Sequence, residues 1–357
     1  MKRFLPGLVL IITTNTHALY WQNNYGVDLD VGTDDNYFLT STNETDMNFS
    51  KLSLFIGADG STETSNISFL ARVNGHNYSD KTIDDSLTSA VSLAMSNRGE
   101  RLDSGLDISY TNESTFESQL LDTGVRVDGR TQKWRVAPDL SYRLTERNAL
   151  SMDLSFQDVS YNTTSLIDYQ DNAVLLSWSY GLNETSDISA NVAYSRYEPD
   201  TVNAVNTDTA SIFLGYEIRP TGATTYGFGF GYSDVDGSAG TQSGRVYSVD
   251  INHQRDEFNS FTLNASQIYE PDSLGSVRLV NRLGLGWAHA FTEKLQGLLS
   301  ADYIQDDFRD YYEVNPGLRY FITEHLSLAG DYRFRREERT AGNAESNALF
   351  VTLSYNN

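Results

Sequence analysis

Residues 133–156 read KWRVAPDLSYRLTERNALSMDLSF, and this stretch decides the fold class. Trp134 and Val136 alternate with Arg135, and the alternation resumes after the turn residues 145–148. A period of two is typical of a β-strand that has one apolar and one polar face. The stretch therefore predicts two antiparallel strands joined by a short turn.

The same alternation recurs along the chain, with short polar turns near residues 145–148, 183–186, 220–222, 256–259, 292–294 and 323–325. Counting segments between turns predicts 18 strands, and 16 stays open because the first third is rich in Asn and Gly. The predicted strands are 21–32, 48–57, 64–74, 87–96, 104–112, 131–144, 149–160, 173–182, 187–197, 209–218, 224–233, 245–254, 260–269, 278–290, 295–305, 313–321, 326–336 and 347–355.

This pattern predicts an all-β protein, an antiparallel up-and-down β-barrel that crosses a membrane with its strands. Only every second residue of such a strand faces lipid, which fits a mean hydropathy of −0.42. Longer acidic connections at 198–208, 234–244 and 337–346 alternate with the short turns, as extracellular loops alternate with periplasmic turns. A soluble sandwich or solenoid is the alternative, and the even repeats disfavour it.

The first residues resemble a secretory signal peptide. Lys2 and Arg3 precede the apolar residues 4–12, and residues 16–18 offer a cleavage site that ends in a small side chain. We therefore expect a signal peptide over 1–18 and a single outer-membrane barrel over 19–357, with the mature chain beginning near Leu19.

The composition disfavours several function classes. The net charge of −22 disfavours a nucleic-acid partner, which needs a basic surface. The five His residues are scattered, no nucleophile elbow is present, and the Gly-x-Gly pairs lie inside strands. We therefore predict no enzymatic activity, no cofactor and no metal site. The acidic runs 306–310 and 234–236 lack the spacing of a calcium loop, so solvated loop charge is the preferred interpretation.

The polar face of the strands is the candidate functional surface. Alternation directs a set of charged residues inward, and a barrel of about 18 strands is too wide for side chains alone to fill. A water-filled lumen is the preferred interpretation, and residues 112–130 are the best candidate for a loop that folds into it. The predicted lumen-lining residues are Lys133, Arg135, Asp139, Arg143, Asp302, Arg319, Asp331, Arg333 and Arg335.

Four motifs resemble an outer-membrane family known as β-barrel porin 2. They are DDNYFLT at 34–40, LDTG at 121–124, PDLSYRLTERN at 138–148 and DVSY at 158–161. The resemblance covers essentially the whole mature chain, and its motifs are turns and strand ends. The resemblance implies a large barrel whose gene lies with the genes for exopolysaccharide synthesis and export.

The resemblance implies passive export of an exopolysaccharide, with a periplasmic export partner that supplies the driving force. Two alternatives stay open: a general diffusion porin for small solutes, and a structural barrel whose loops bind a surface partner. In each case the expected surroundings are outer-membrane lipid and lipopolysaccharide.

Overall fold

The computed structural model describes residues 20–80, 86–115, 119, 127–201, 205–237, 240–340 and 342–357. The predicted signal peptide, the predicted mature start at Leu19 and the motif at 121–124 lie outside these residues. Within the described part of the chain, no helix is long and apolar enough to cross a membrane.

Eighteen strands make up the sheet in the described residues, and each predicted segment overlaps one of them, which confirms the count of 18 and excludes 16. Their bounds are β1 Tyr20–Asp34, β2 Met47–Ser61, β3 Ser65–Tyr78, β4 Ser86–Arg98, β5 Leu102–Ser114, β6 Arg130–Arg143, β7 Asn148–Tyr161, β8 Tyr169–Asn183, β9 Ser186–Pro199, β10 Thr207–Thr221, β11 Thr224–Gly237, β12 Gly240–Gln254, β13 Ser260–Pro271, β14 Val277–Ala290, β15 Leu295–Gln305, β16 Arg309–Phe321, β17 Leu326–Arg339 and β18 Gly342–Asn356.

The sheet closes on itself. Each strand pairs antiparallel with the next one in sequence, and β1 pairs with β18 as well as with β2. The closing register runs from Gly26 opposite Asn356 to Asp34 opposite Ala348, whereas residues 20–25 pair with β2 alone. The predicted all-β, antiparallel up-and-down barrel is therefore confirmed.

One end of the barrel, here called the turn rim, carries short connections that coincide with the six predicted turns. Several begin with a side-chain acceptor: Thr145 Oγ1 accepts a hydrogen bond from the Asn148 amide at 3.1 Å, and Thr323 Oγ1 accepts one from Leu326 at 3.0 Å. Asp256 acts in the same way, and hydrogen bonds from the side chain and backbone of Asn259 hold the pKa of Asp256 below its ordinary value. These local contacts fix the tight turns.

The opposite end, the loop rim, differs from the prediction. The segments 234–244 and 337–346 are mostly strand: β11 pairs with β12 as far as Gly237 opposite Gly240, and β17 pairs with β18 as far as Arg339 opposite Gly342. About 9–11 residues suffice to cross a bilayer, so these longer strands continue beyond the apolar belt with polar side chains on both faces. A positive φ at Gly240 and Gly342 permits the tight connections.

The two faces of the wall differ in polarity as predicted. On β11, Phe230 points outward with 60 % of its surface exposed, while Gly229 and Gly231 face the interior, where Phe213 covers Gly231. Aliphatic and aromatic residues repeat on the outer face of the other strands, for example Leu214 on β10. A continuous apolar belt of this kind is stable only against lipid.

We predict that Gly231→Ala destabilises the barrel. A Cβ at Gly231 would meet the backbone oxygen of Ile212 and lie 2.8 Å from the Phe213 ring, so the wall itself would have to move. Overpacking of this kind lowers the free energy of unfolding by about 1–3 kcal/mol, measurable by urea unfolding in detergent micelles. Gly330→Ala is the matched control, because a Cβ there meets no atom within 4 Å. Equal unfolding free energies for the two variants would contradict the prediction.

Candidate functional site: the charged interior of the barrel

The strand register places all nine predicted lumen-lining residues on the face opposite the apolar belt. They fall into two groups on walls that lie about half the ring apart. These are Lys133, Arg135, Asp139 and Arg143 on β6, and Asp302 on β15, Arg319 on β16, and Asp331, Arg333 and Arg335 on β17.

Arg335 is buried and holds the end of β1. Its Nη2 atom lies 2.7 Å from Asp34 Oδ2 and 3.2 Å from the carbonyl oxygen of Tyr37. Arg333 reaches the same Asp34 oxygen at 3.1 Å, and the Ser346 hydroxyl donates to Asp34 Oδ1 at 2.7 Å. Asp34 is fully buried, and two guanidinium groups and a hydroxyl satisfy its carboxylate.

The first connection, residues 35–46, turns inward from this point. The Asn36 side chain donates to the carbonyl oxygen of Glu345 at 2.8 Å, and Asn36 Oδ1 accepts from the Thr40 amide at 3.0 Å. Leu39, at a φ of 49°, is fully buried in an apolar cluster formed by residues of four strands, namely Val280, Ile304, Tyr311 and Ala344. The first connection therefore lies inside the barrel, against the wall of β14–β18.

The segment 112–130 was predicted to fold inward, and the structure describes only part of it. Residues 112–114 belong to β5, and most of the remainder lies outside the described residues. Gln119 is buried, and its Oε1 atom accepts a hydrogen bond from the Ser273 hydroxyl at 2.5 Å. Because Ser273 lies in the β13–β14 connection, this contact spans the mouth of the barrel.

The tip of the β13–β14 hairpin leaves the wall. Pairing of β13 with β12 ends at Gln267, and pairing of β14 with β15 begins only at Asn281, so the hairpin tip (residues 268–280) pairs with no neighbouring strand among the described residues. The tip crosses the loop rim instead. Residues 272–277 make several contacts with β7–β9 and their connections: the Tyr197 hydroxyl donates to Asp272 O at 2.7 Å, the Ile167 amide donates to Ser273 O at 3.0 Å, and Val277 packs against Val159, Tyr169 and Tyr197.

A second ion-pair cluster fixes the neighbouring strands. Buried Asp306 pairs with Arg278 and with Arg309, and Arg309 also reaches Glu337 at 3.4 Å. Asp306 was predicted to be solvated loop charge, and this was wrong because its side chain is fully enclosed by the two guanidinium groups. Within the described residues, no group of three or more His, Asp or Glu side chains is arranged to hold a metal ion.

Two adjoining chambers occupy the interior along β6–β12. The larger, about 960 Å³, lies towards the turn rim and includes the Arg219 side chain with its partners Asp187 and Glu217. The smaller, about 500 Å³, lies towards the hairpin tip. Leu175 and Phe213 line both chambers, so the two spaces meet at these side chains.

Carboxylates outnumber basic groups on this side of the interior. The inward face of β5–β12 presents the basic residues Lys133, Arg135, Arg143 and Arg219 against the acidic residues Asp103, Asp107, Glu113, Asp139, Asp153, Asp171, Asp187, Glu217 and Asp250. In the smaller chamber, Asp107, Asp139, Asp153 and Asp171 surround Arg135. The electrostatic potential on this side of the interior is therefore negative.

The four histidines that the structure describes do not converge on this interior. His253 and His289 occupy outward positions of β12 and β14, as the alternation predicts, and His325 lies in a turn of the turn rim. His76 faces inward on β3, where it stacks beside Tyr78.

Comparison with known proteins supports the architecture. No family model matches the chain, and no curated protein matches it. Among solved structures, the chain is similar to a BenF-like porin from Pseudomonas fluorescens Pf-5 (11 % identity, 94 % of this chain and 98 % of that one, TM-score 0.50). It is also similar to OccK2 from Pseudomonas aeruginosa, solved with glucuronate (12 %, 94 % and 98 %, TM-score 0.50), and to the siderophore receptor PirA from the same species (9 %, 94 % and 80 %, TM-score 0.50).

At these identities the likeness concerns the fold. The β-barrel porin 2 family, which the sequence motifs resemble, is not among the matches, and that resemblance stays a prediction. A closed 18-stranded barrel with an outward apolar belt and a porin-like fold belongs in the bacterial outer membrane. This chain is an outer-membrane β-barrel with the fold of a porin.

Proposed function

We propose that this protein is a passive channel through which small hydrophilic solutes cross the outer membrane, with cations favoured over anions. The observation that carries the proposal is the pair of adjoining chambers inside the closed wall, lined by charged side chains, with the hairpin tip crossing the loop rim. A hydrated interior needs no energy source, because solutes move down their own gradient.

The hairpin tip and the first connection occupy part of the mouth, which favours small solutes over a polymer. Exopolysaccharide export and a periplasmic export partner rest on the sequence resemblance alone, and no contact described above favours them.

We further propose an orientation and a role for the nine charged residues. The turn rim faces the periplasm, and the loop rim faces outward, on the lipopolysaccharide side of the membrane. Lys133, Arg135, Asp139 and Arg143 line the channel along β6. Asp302, Arg319, Asp331 and Arg333 line the opposite wall, and the buried Arg335 anchors the first connection.

Single-channel recording tests the proposal. Purified protein inserted into a planar bilayer is expected to give discrete conductance steps in KCl, and a KCl gradient is expected to give a reversal potential of the sign that marks preference for K⁺. Insertion is verified by protease protection of the barrel. Inserted protein that gives no steps would contradict the channel and favour the alternative in which the loops bind a surface partner.

The hairpin tip supplies a second prediction. Replacing residues 272–276 by Asn-Gly shortens the tip between the paired residues Pro271 and Val277 and removes the contacts of Asp272 and Ser273 across the mouth. We expect a higher single-channel conductance, because the constriction widens.

The turn rim offers a matched control for this replacement. Residues 255–259 also form a five-residue connection, between the paired residues Gln254 and Ser260, and they lie outside the barrel mouth. The same Asn-Gly replacement there is expected to leave the conductance unchanged. Equal conductance in both replacements and in the wild-type protein would show that the hairpin tip does not limit the flow.

A further inference from the structure

Interior glycines and aspartates face each other across neighbouring strands. Gly105 on β5 pairs with Asp139 on β6, and Gly317 on β16 pairs with Asp331 on β17. In both pairs a carboxylate oxygen occupies the space that a Cβ on the glycine would need. The side chain therefore lies flat along the wall, over the Cα atom of its partner, instead of extending into the lumen.

The space over each of these glycines is filled by the flexible end of a side chain. For Gly105, the three atoms nearest to a Cβ all belong to the Asp139 carboxyl group. For Gly317, the two nearest belong to Asp331, and the first backbone atom is 3.5 Å away. An alanine at either position would displace the carboxylate and leave the backbone in place, in contrast to Gly231, where the wall itself is in the way.

The lean of Asp139 also has an electrostatic effect. Asp139 pairs with Gly105 on one side and stands directly opposite Asp153 on the other. Like charges directly opposite each other on neighbouring strands are unfavourable. Resting on Gly105 shifts the Asp139 carboxylate from Asp153 towards β5, where Asp107 faces the same chamber, so the group stays within a cluster of carboxylates at the wall.

We propose that Gly105 and Gly317 set how far the carboxylates of Asp139 and Asp331 project into the channel, and thereby tune its preference for cations. The proposal rests on the proposed channel function and assigns these two glycines as positioning residues. Each glycine keeps one negative charge at the wall; a methyl group would move that charge towards the path of the solute, where its field acts on a passing ion at shorter range.

The barrel contains neutral counterparts of these pairs. Ser248 lies over Gly229, with its hydroxyl oxygen 2.5 Å from the position of a Cβ, and Thr262 lies over Gly286 at 2.5 Å. These pairs share the inward register and the cross-strand geometry, and they differ in carrying no charge. Gly229→Ala is therefore a control that displaces a side chain without displacing a charge.

The test measures reversal potentials in a KCl gradient for Gly105→Ala, Gly317→Ala and Gly229→Ala in planar bilayers. We expect the two aspartate-facing variants to shift the reversal potential towards the K⁺ equilibrium potential and Gly229→Ala to leave it unchanged. Asp139→Asn alone and combined with Gly105→Ala are expected to give the same reversal potential, because the effect of the alanine requires the charge.

Two results would overturn the proposal: a shift in Gly105→Ala and Gly317→Ala no larger than in Gly229→Ala, or a shift that persists in the Asp139→Asn background. If an alanine variant does not fold, Asp139→Glu and Asp331→Glu move the carboxylate further from the wall while the glycine stays, and an unchanged reversal potential there also overturns it. A wild-type protein without conductance refutes the channel itself, whereas a conducting wild type with unresponsive variants refutes only this inference.

Discussion

The structure depends on one constraint: in hydrocarbon, every backbone amide and carbonyl of the wall must find its partner within the protein. The strand ladder meets this requirement along its length, and the pairing of β1 with β18 meets it at the last edge. Because the backbone is satisfied by the ladder, side chains are free to follow the environment, with apolar groups towards lipid and polar groups towards water.

The interior meets a second requirement, since charges away from bulk water need partners. Arg335 and Arg333 share the Asp34 carboxylate, and Asp306 joins two further arginines. These clusters hold the first connection and the strands β14–β17 together near the loop rim. The inner face of β6–β12 keeps an excess of carboxylates around open chambers. A further space of about 490 Å³ lies at the inner face of β1–β3 and β16–β18, beside Lys51 and Arg319.

Much of the fold is predictable from sequence because its rule is local. Alternation identifies each strand, as on β6. A threonine or aspartate at the start of a turn marks the end of the strand before it, as Thr323 does after β16. The rule fails where both faces are polar, so the extension of β11 to Gly237 resembled a loop. Beyond the apolar belt neither face of the strand contacts lipid, so the side chains on the two faces do not differ in polarity.

The candidate site was predictable only in part, for a related reason. Register alone places Lys133 and Asp139 on the inner face, but the contacts that shape the mouth join distant parts of the chain. Asp34 and Arg335 are 301 positions apart, and neither has a local signature of its pairing. The hairpin tip alternates as wall strands do, so its departure from the wall follows from packing against Tyr197 and not from any pattern of its own.

The partial pairing of β1 has a consequence for how the barrel assembles. Seventeen of the ladders join strands that are consecutive along the chain, so they close short loops, whereas the ladder between β1 and β18 joins the two ends of the sequence. The chain entropy of closing a loop grows with its length, so the seam at residues 26–34 carries the largest closure cost of the eighteen ladders. Without this seam the wall would be an open sheet in which β1 and β18 both present unpaired backbone groups.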